Sequence, residues 1–399
     1  MQHLPNDTID VTLDQFGQVE TINGDPDFPT LTDAWGGNDT VTANLDQPEA
    51  KVTIFGDDTT VLHGLSHGGN DTLTVNFNYG WNAAVVVGDA QSMIDNATGG
   101  NDTIVVEADR TLYTPVSAFG DVAGDMSGNS HGGNDIITGS IGWRDGPNLF
   151  AGDAGGSMID TAHGGNDTIN VGATTSDGMA TLSGDAIGAL RGLAQGGNDN
   201  LTATLGGSPI SGASMSGDSS TSLMDFARGG DDVLTAKIEG QYTDSNSTMY
   251  GDAPIMSGHS QGGNDILNGG TGRDFMYGDA QTYKPASPDS ITGGMDKLNG
   301  GAGDDQMWGG GNNDTFVFNK GSGNDTVNDF NQGNKAMGST ATEHDLINVH
   351  DYGFADWTAL SHLISDNAAG NAVIHLSAND SITLDGVHTA ALHQTDFIV

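Results

Sequence analysis

The sequence contains no cysteine, few basic residues and little glutamate. Its 399 residues include 11 lysines and arginines against 53 acidic residues, which gives a formal net charge of −42. A charge of this size opposes a compact state through self-repulsion. However, 35% of the residues are hydrophobic and the acids are spread along the whole chain, so the composition is not that of a disordered acidic tail. A species other than the side chains must therefore neutralise the acids.

Glutamate occurs at only five positions, so 48 of the acids are aspartates. Short carboxylates suit tight loops that wrap a hard cation such as Ca²⁺. The absence of cysteine fits an extracellular protein that is stabilised by metal instead of disulfides. The negative charge disfavours nucleic acid and anionic membrane surfaces as partners.

Long apolar runs are also missing. The first residues, MQHLPNDTIDVTL, have neither a basic n-region nor an apolar h-region, and no run of about 18 apolar residues follows. We therefore predict that the chain neither uses Sec export nor inserts into a membrane.

The main feature of the sequence is an internal repeat with a period of about 32 residues. Aspartates recur at intervals of 31 to 33 residues, nine of them in a Gly-Gly-x-Asp frame, and Asp7 in LPND precedes these nine. We name the nine the first aspartate column: Asp39, Asp71, Asp102, Asp135, Asp167, Asp199, Asp232, Asp265 and Asp296. Two residues after each stands an aliphatic residue, from Val41 to Leu298. Such uniformity predicts an inward strand position that is stacked coil on coil.

A Gly-Asp motif recurs half a coil away and follows short β-prone stretches such as VTIFGD and AVVVGDA. We name its aspartates the second aspartate column: Asp25, Asp57, Asp89, Asp121, Asp153, Asp185, Asp218, Asp252 and Asp279. Each coil is thus predicted to contain a strand, a turn, a return strand and a loop of about a dozen residues. Most loops carry an apolar residue near the middle, such as Met93 or Met126, which we expect to point inward.

Nine-residue units replace the long coil near the C-terminus: GGTGRDFMY from Gly269, GGAGDDQMW from Gly300 and GGGNNDTFV from Gly309. They resemble GGxGxDxUx, the repeat of the RTX calcium-binding family. The resemblance implies that Ca²⁺ binds to backbone carbonyls and to the sixth-position aspartates Asp274, Asp305 and Asp314, with Asp265 in the preceding unit. Glycine allows the backbone to turn carbonyls inward, and aspartate supplies charge to a shell of six to eight oxygens. The long coils keep GGND and Gly-Asp with an inserted loop, so they could bind one ion each, two or none.

The C-terminal segment, from NDTFVFNKGSGNDTVNDF to the final DFIV, is similar to that of serralysin-type RTX exports. There it caps the roll and is an uncleaved signal for type I secretion. The expected fold is therefore all-β: a right-handed parallel β-roll or β-solenoid of about ten 32-residue coils, then nonapeptide coils, then a small β-rich cap with one short helix. The expected divisions are 1–259 for the long coils, 260–325 for the nonapeptide roll and 326–399 for the cap and secretion signal.

The repeat begins at Asn6 and Asp7, with no capping helix predicted before it. Because an open solenoid end exposes unpaired backbone, we expect self-association through this coil into an extracellular filament, surface layer or matrix. The alternative is an adhesin, a rod whose Thr/Asn rank, including Thr42, Thr74 and Asn170, or acidic face recognises glycan, ice or a host surface.

An enzyme is the third class and the one that the sequence favours least. Three segments match the nucleophile pattern G-x-S-x-G around Ser66, Ser130 and Ser260, but they fall in one repeat column, whereas a nucleophile elbow is a single strained turn. No HExxH zinc motif occurs, and no non-repetitive stretch is long enough for a catalytic domain. The prediction is a secreted, calcium-binding, non-catalytic structural protein.

Overall fold

The computed structural model describes residues 3–25, 33–108, 115–141, 148–173, 179–206, 212–239 and 246–399. Within them the chain winds as a parallel β-solenoid of about ten turns, as predicted, and each long coil contributes one rung to each of three faces.

The first sheet contains the strands that follow each Gly-Gly-x-Asp motif. It is parallel throughout and comprises β1 (Thr8–Leu13), β3 (Thr40–Leu45), β6 (Thr72–Phe77), β9 (Thr103–Glu107), β11 (Ile136–Ile141), β13 (Thr168–Ala173), β15 (Asn200–Gly206), β18 (Val233–Glu239), β21 (Ile266–Asn268), β24 (Lys297–Asn299), β26 (Thr315–Val317), β28 (Leu346–Asn348) and β32 (Phe397–Ile398). Val41 pairs with Leu73 and Leu73 with Ile104, so the aliphatic column predicted from the spacing is in register and buried.

The second sheet contains the return strands. It comprises β2 (Val19–Asn23), β4 (Lys51–Phe55), β7 (Ala83–Val87), β10 (Val116–Phe119), β12 (Asn148–Ala151), β14 (Met179–Ser183), β16 (Gly212–Ser216), β19 (Asn246–Tyr250), β22 (Asp274–Tyr277), β25 (Gln306–Trp308), β27 (Asn324–Val327), β31 (Ser381–Leu384), β30 (Ala372–His375) and β29 (Ile364–Asp366). Only the pairs between β29, β30 and β31 are antiparallel among these strands. Alternate side chains of both sheets point inward and form one core.

The third face is built from the loops between Gly-Asp and Gly-Gly-x-Asp. Short strands form part of it: β5 (Asp58–Leu62) with β8 (Ala90–Met93), and β17 (Ser222–Leu223) with β20 (Ile255–Gly258) and β23 (Thr282–Pro285). Single parallel bridges continue the stack, including Met93 to Met126 and Met126 to Met158. Met93, Met126, Met158 and Met256 therefore point inward as expected, into a second apolar core, whereas in the coil of Met224 the neighbouring Leu223 takes this place.

A small cap follows the last nonapeptide. It contains two short helices, α1 (Gly333–Ala336) and α2 (Trp357–Ser361), and 3₁₀ turns at His350–Tyr352, Thr389–Ala391 and Gln394–Asp396. Asp356 caps α2 by accepting a hydrogen bond from the Ala359 N–H at 2.9 Å. No helix among the described residues is both long enough and apolar enough to cross a bilayer.

Candidate metal centre

The first aspartate column forms a continuous hydrogen-bonded ladder at the entrance to the first sheet. The backbone N–H of each aspartate donates to Oδ1 of the aspartate one coil further on, as in Asp102 to Asp135 at 2.6 Å and Asp135 to Asp167 at 2.7 Å. The same bond joins all neighbours from Asp7 to Asp296. Because each coil offers the same N–H at the same height, the ladder fixes every carboxylate in one orientation.

The other oxygen of each first-column carboxylate is buried and has no hydrogen-bond partner. These unpartnered Oδ2 atoms belong to Asp39, Asp71, Asp102, Asp135, Asp167, Asp199, Asp232, Asp265 and Asp296. The side chains are at most 2% exposed. A buried oxygen with no partner is costly, and a row of them in one direction fits the binding of cations.

The second aspartate column lies opposite and is anchored by the glycine pairs. Each carboxylate accepts a hydrogen bond from the second glycine N–H of the next Gly-Gly-x-Asp motif, as from Gly69 to Asp57 at 2.7 Å and from Gly197 to Asp185 at 2.7 Å. The same contact holds the remaining members, Asp25, Asp89, Asp121, Asp153, Asp218, Asp252 and Asp279. The turn therefore aims this column at the first one.

Carboxylates of both columns meet between consecutive coils at two places among the described residues. Oxygens of Asp57, Asp71 and Asp89 lie within 4.8 Å of one another, and so do those of Asp89, Asp102 and Asp121. Each group combines one first-column residue with two second-column residues, so the sites lie between coils.

Glycines leave the space for these oxygens. A Cβ placed on Gly120 would lie 1.7 Å from the carbonyl oxygen of Gly152 and 1.9 Å from Oδ2 of Asp135, which forbids any larger residue. A Cβ on Gly132 would lie 1.6 Å from Oδ1 of Asp153. Carbonyl and carboxylate oxygens thus converge on a cradle that a side chain would fill.

Burial is the main cause that raises the pKa of the column aspartates. Burial, and then the negative charges of Asp89 and Asp39, raise the pKa of Asp71 to about 9. Burial raises the pKa of Asp39 and Asp89 to about 6, and it raises the pKa of Asp135 well above its usual range. Among the described residues, no lysine or arginine forms an ion pair with a column aspartate between Asp39 and Asp314. The ion pairs of the described residues join aspartates of the cap to histidines.

These donors fit calcium. The set is all oxygen, combines carboxylates with backbone carbonyls and lacks the nitrogen and sulfur ligands that softer metals prefer. Divalent cations between the columns would neutralise the carboxylates and supply partners for the orphaned Oδ2 atoms.

The nonapeptide aspartates divide between two edges of the solenoid, which the sequence did not indicate. Asp314 continues the first column, since the Asp296 N–H donates to its Oδ1 at 2.8 Å. Asp274 and Asp305 lie at the start of the second sheet and form a separate ladder, in which the Asp274 N–H donates to Asp305 Oδ1 at 2.8 Å. The long coils carry their columns on one edge, whereas the nonapeptide part has them on both.

The sequence analysis missed three carboxylates that extend these arrays. Asp325 extends the second ladder, since the Asp305 N–H donates to it at 3.1 Å, and its segment GSGNDTV keeps two glycines of the nonapeptide. Asp345 and Asp329 extend the first edge into the cap. No glycine pair precedes Asp345, so only the aliphatic Ile347 two residues later could have indicated its position.

Comparison with known protein families agrees with this arrangement. A model of the RTX calcium-binding nonapeptide repeat matches residues 259–282 and 290–327 in four copies. No curated protein and no solved structure matches the chain.

Proposed function

We propose that this RTX-repeat protein is an exported structural rod whose coils are held together by calcium and that assembles outside the cell. RTX nonapeptides bind Ca²⁺ at multiple sites, and the chain carries aspartate clusters that are suited to metal binding. The observation that carries the proposal is the row of buried, unpartnered Oδ2 atoms opposite the second column.

We assign the ion-binding role to the aspartates of both columns and to Asp274, Asp305 and Asp314. Bound calcium would supply positive charge to these buried carboxylates. The chain's own residues position the oxygens: the backbone ladder orients Oδ1, the glycine N–H groups hold the second column, and the glycines exclude side chains from the cradle.

A non-catalytic role is supported by the burial of the three G-x-S-x-G serines. Ser66, Ser130 and Ser260 are at most 1% exposed and lie in a column shared with Ala97 and Ala162 of the second core. A hydroxyl in this position cannot meet a substrate, so we interpret these serines as packing residues.

Export is supported by the family, because RTX repeats are typical of secreted proteins. We propose that residues 326–399 close the roll and interact with a type I secretion machinery, that residues 260–325 form the two-edged nonapeptide roll, and that residues 1–259 form the long-coil rod. Low calcium inside cells and high calcium outside would then couple folding to export.

Self-association is supported by the sheet edges at β1 and β2. Each has a parallel neighbour on one side only among the described residues. A second copy that paired with this edge would continue the backbone ladder and the aspartate columns. Electron microscopy and light scattering of the purified chain should show polymers with calcium and none with chelator, whereas a strictly monomeric calcium-loaded form would refute assembly.

A glycan-binding rod is the second candidate, and an aromatic cleft favours it. Tyr250, Tyr277 and Trp308 stack on consecutive coils, with ring centroids 5.2 and 4.5 Å apart. Beside the last two rings lies a cleft of about 570 Å³ whose polar lining includes Gln281 and Lys335. Aromatic surface with a few polar groups is typical of small-ligand sites.

A glycan array with the calcium-loaded monomer tests this second candidate. Binding that is lost in Trp308→Ala and retained in the control Trp81→Ala, an exposed tryptophan of a long coil, would establish the cleft as the site. Equal binding by both variants would exclude it.

A further inference from the structure

The outer side of the third face carries two large apolar side chains on consecutive coils. The bridge of Gln195 to Arg228 holds these coils in register, so that Leu193 lies beside Phe226. Leu193 is 55% exposed and Phe226 is 54% exposed. The two side chains together form an apolar surface that the chain itself does not cover.

The ring of Phe226 is held in place by its neighbours. It stacks on the imidazole of His259 in the next coil, with ring centroids 4.9 Å apart and an angle of 4° between the planes. The Phe226 N–H also donates to the carbonyl oxygen of Gly192 at 2.9 Å. A side chain that is already ordered loses little entropy when a partner covers it, which favours its use as an anchor in an interface.

Two arginines flank the apolar pair. Arg191 precedes Leu193 by two residues, Arg228 follows Phe226 by two residues, and both arginines are exposed. Neither forms an ion pair within the part of the chain that the structure describes, although the chain has 53 acidic residues. Arginine and aromatic side chains are enriched where proteins contact one another. We name Arg191, Leu193, Phe226 and Arg228 the third-face patch.

The two loops that carry the third-face patch are basic, in contrast to the chain as a whole. Residues 186–195 and 219–228 contain the two arginines and one acid, Asp225. The Asp225 carboxylate accepts the N–H of Gly192 at 3.2 Å and is thus already used within the loop. The patch is therefore a positively charged area on a rod with a formal net charge of −42.

The same face has the opposite charge nearer the N-terminus. Residues 90–98 and 122–131 contain the exposed Asp95 and Asp125 and no lysine or arginine. Next to Asp95 in the chain is Ile94, which is 38% exposed. We name these two loops the acidic segment. An acidic segment with one exposed apolar side chain and a basic apolar patch thus lie on one face of the rod.

We propose that two copies of this chain pair side by side through their third faces and run in opposite directions. A two-fold axis across the rod, between the acidic segment and the third-face patch, would place the patch of each copy on the acidic segment of the other. The complementary charge selects a second copy as the partner, because both halves of the contact lie on the same face of the same chain. The proposal rests on the proposed assembly and adds a lateral contact that is separate from the end contact at β1 and β2.

Calcium and salt should affect this contact in different ways. Two rods with a charge of −42 repel each other, so the columns must first be neutralised by calcium before the rods can approach. The attraction between the arginines and the exposed aspartates is screened by salt, so added salt should weaken the pairing of the calcium-loaded chains.

Sedimentation velocity of the full calcium-loaded chain tests the pairing. Arg191→Glu/Arg228→Glu should raise the dissociation constant of the pair by about thirtyfold or more, the effect expected when anchor side chains of an interface are lost. The matched control is Lys51→Glu/Lys237→Glu, which makes the same change in net charge at exposed positions on the two sheets and should leave the dissociation constant unchanged.

An exchange of charge between two variants identifies the partner surface. Asp95→Asn/Asp125→Lys should not pair laterally on its own, because its acidic segment would face the arginines with a positive charge; asparagine tolerates the left-handed backbone of Asp95. A mixture of this variant with Arg191→Glu/Arg228→Glu should pair again, because each patch then meets the opposite charge. A mixture that stays unpaired would overturn the proposed contact.

Electron microscopy separates the lateral contact from the end contact, because the lateral contact doubles the width of a rod and the end contact increases its length. If the wild-type chain assembles with calcium into rods of single width, the lateral contact is refuted and the proposed assembly stands. If the wild-type chain with calcium is monomeric, both fail, and the third-face patch must serve a different partner.

Discussion

Each first-column aspartate uses its two carboxylate oxygens differently. In Asp135, Oδ1 accepts the N–H of Asp102, and Oδ2 is buried beside the carbonyl oxygen of Gly152 without a hydrogen bond. The first contact is structural and needs no charge. The second is favourable at neutral pH only when a cation or a proton lies on the buried oxygen, so the two roles can be separated by substitution.

The substitution Asp135→Asn tests that separation. The amide side chain would keep an acceptor for the Asp102 N–H but would lose the charge, so we expect apparent calcium affinity at this rung to fall by about tenfold or more. Calcium titration with an ion count by native mass spectrometry would measure the loss. The matched control is Asp160→Asn, an exposed aspartate at a left-handed position that asparagine tolerates. Equal ion counts in the two variants would contradict the assignment.

At the scale of the element, the inserted loop of the long coil is a third face. It stacks in register through bridges such as Met126 to Met158 and has its own core of methionine, leucine and alanine. This face connects the second aspartate column of each coil to the first aspartate column of the next motif. The loop thus stabilises each coil by burying apolar area.

Removing one side chain from this core should be costly. Met126 is fully buried, so Met126→Ala should lower the free energy of unfolding of the calcium-loaded protein by about 2–5 kcal/mol. Guanidinium unfolding would show a lower midpoint. Met179, 65% exposed on β14, supplies the control Met179→Ala, which should stay within about 0.5 kcal/mol of wild type. Similar shifts in the two variants would mean that the third face does not support the coil.

The sequence predicted the coils well because every coil repeats the same contacts. The spacing of Asp135 and Ile137 identified the column and the inward strand position without any knowledge of the turns. The third face was predicted only as a pinned loop, because its bridge partners, such as Trp35, His67 and Thr98, share no residue type. Asp305 and Asp314 lie at different edges because one turn follows a strand of the first sheet and the other follows a strand of the second sheet. The nonapeptide motif is the same in both turns, so it could not predict the edge.

At the scale of the whole molecule, stability depends on contacts between neighbouring coils and on the charge of −42. Each coil adds two more buried carboxylates, so apolar burial and electrostatic repulsion grow together along the rod. Calcium removes the electrostatic repulsion without reducing the apolar burial. The account therefore predicts opposite effects of pH in the presence and absence of the metal.

Without calcium, acid should favour folding. Burial raises the folded-state pKa of Asp39 and Asp89 to about 6 and of Asp71 to about 9, above an ordinary value of about 3.9. Raised values contribute stability at low pH that is lost as the pH rises through about 6 to 9. Strand content of the calcium-free chain should thus fall over this range, as measured by circular dichroism.

With calcium, acid should act in the opposite direction, because protons compete with the metal for the same oxygens. The loaded chain should release ions as the pH falls through the same range. A calcium-free chain that gains strand as the pH rises would contradict the assigned pKa directions.

Circular dichroism during a calcium titration near neutral pH tests the central claim most directly. Calcium should bind the folded coils and hardly the unfolded chain, so the account predicts an expanded, strand-poor chain in excess chelator and a cooperative gain of β-structure as calcium is added. Strand content that stays the same in excess chelator would show that the coils tolerate their aspartate columns without metal, and would contradict the account.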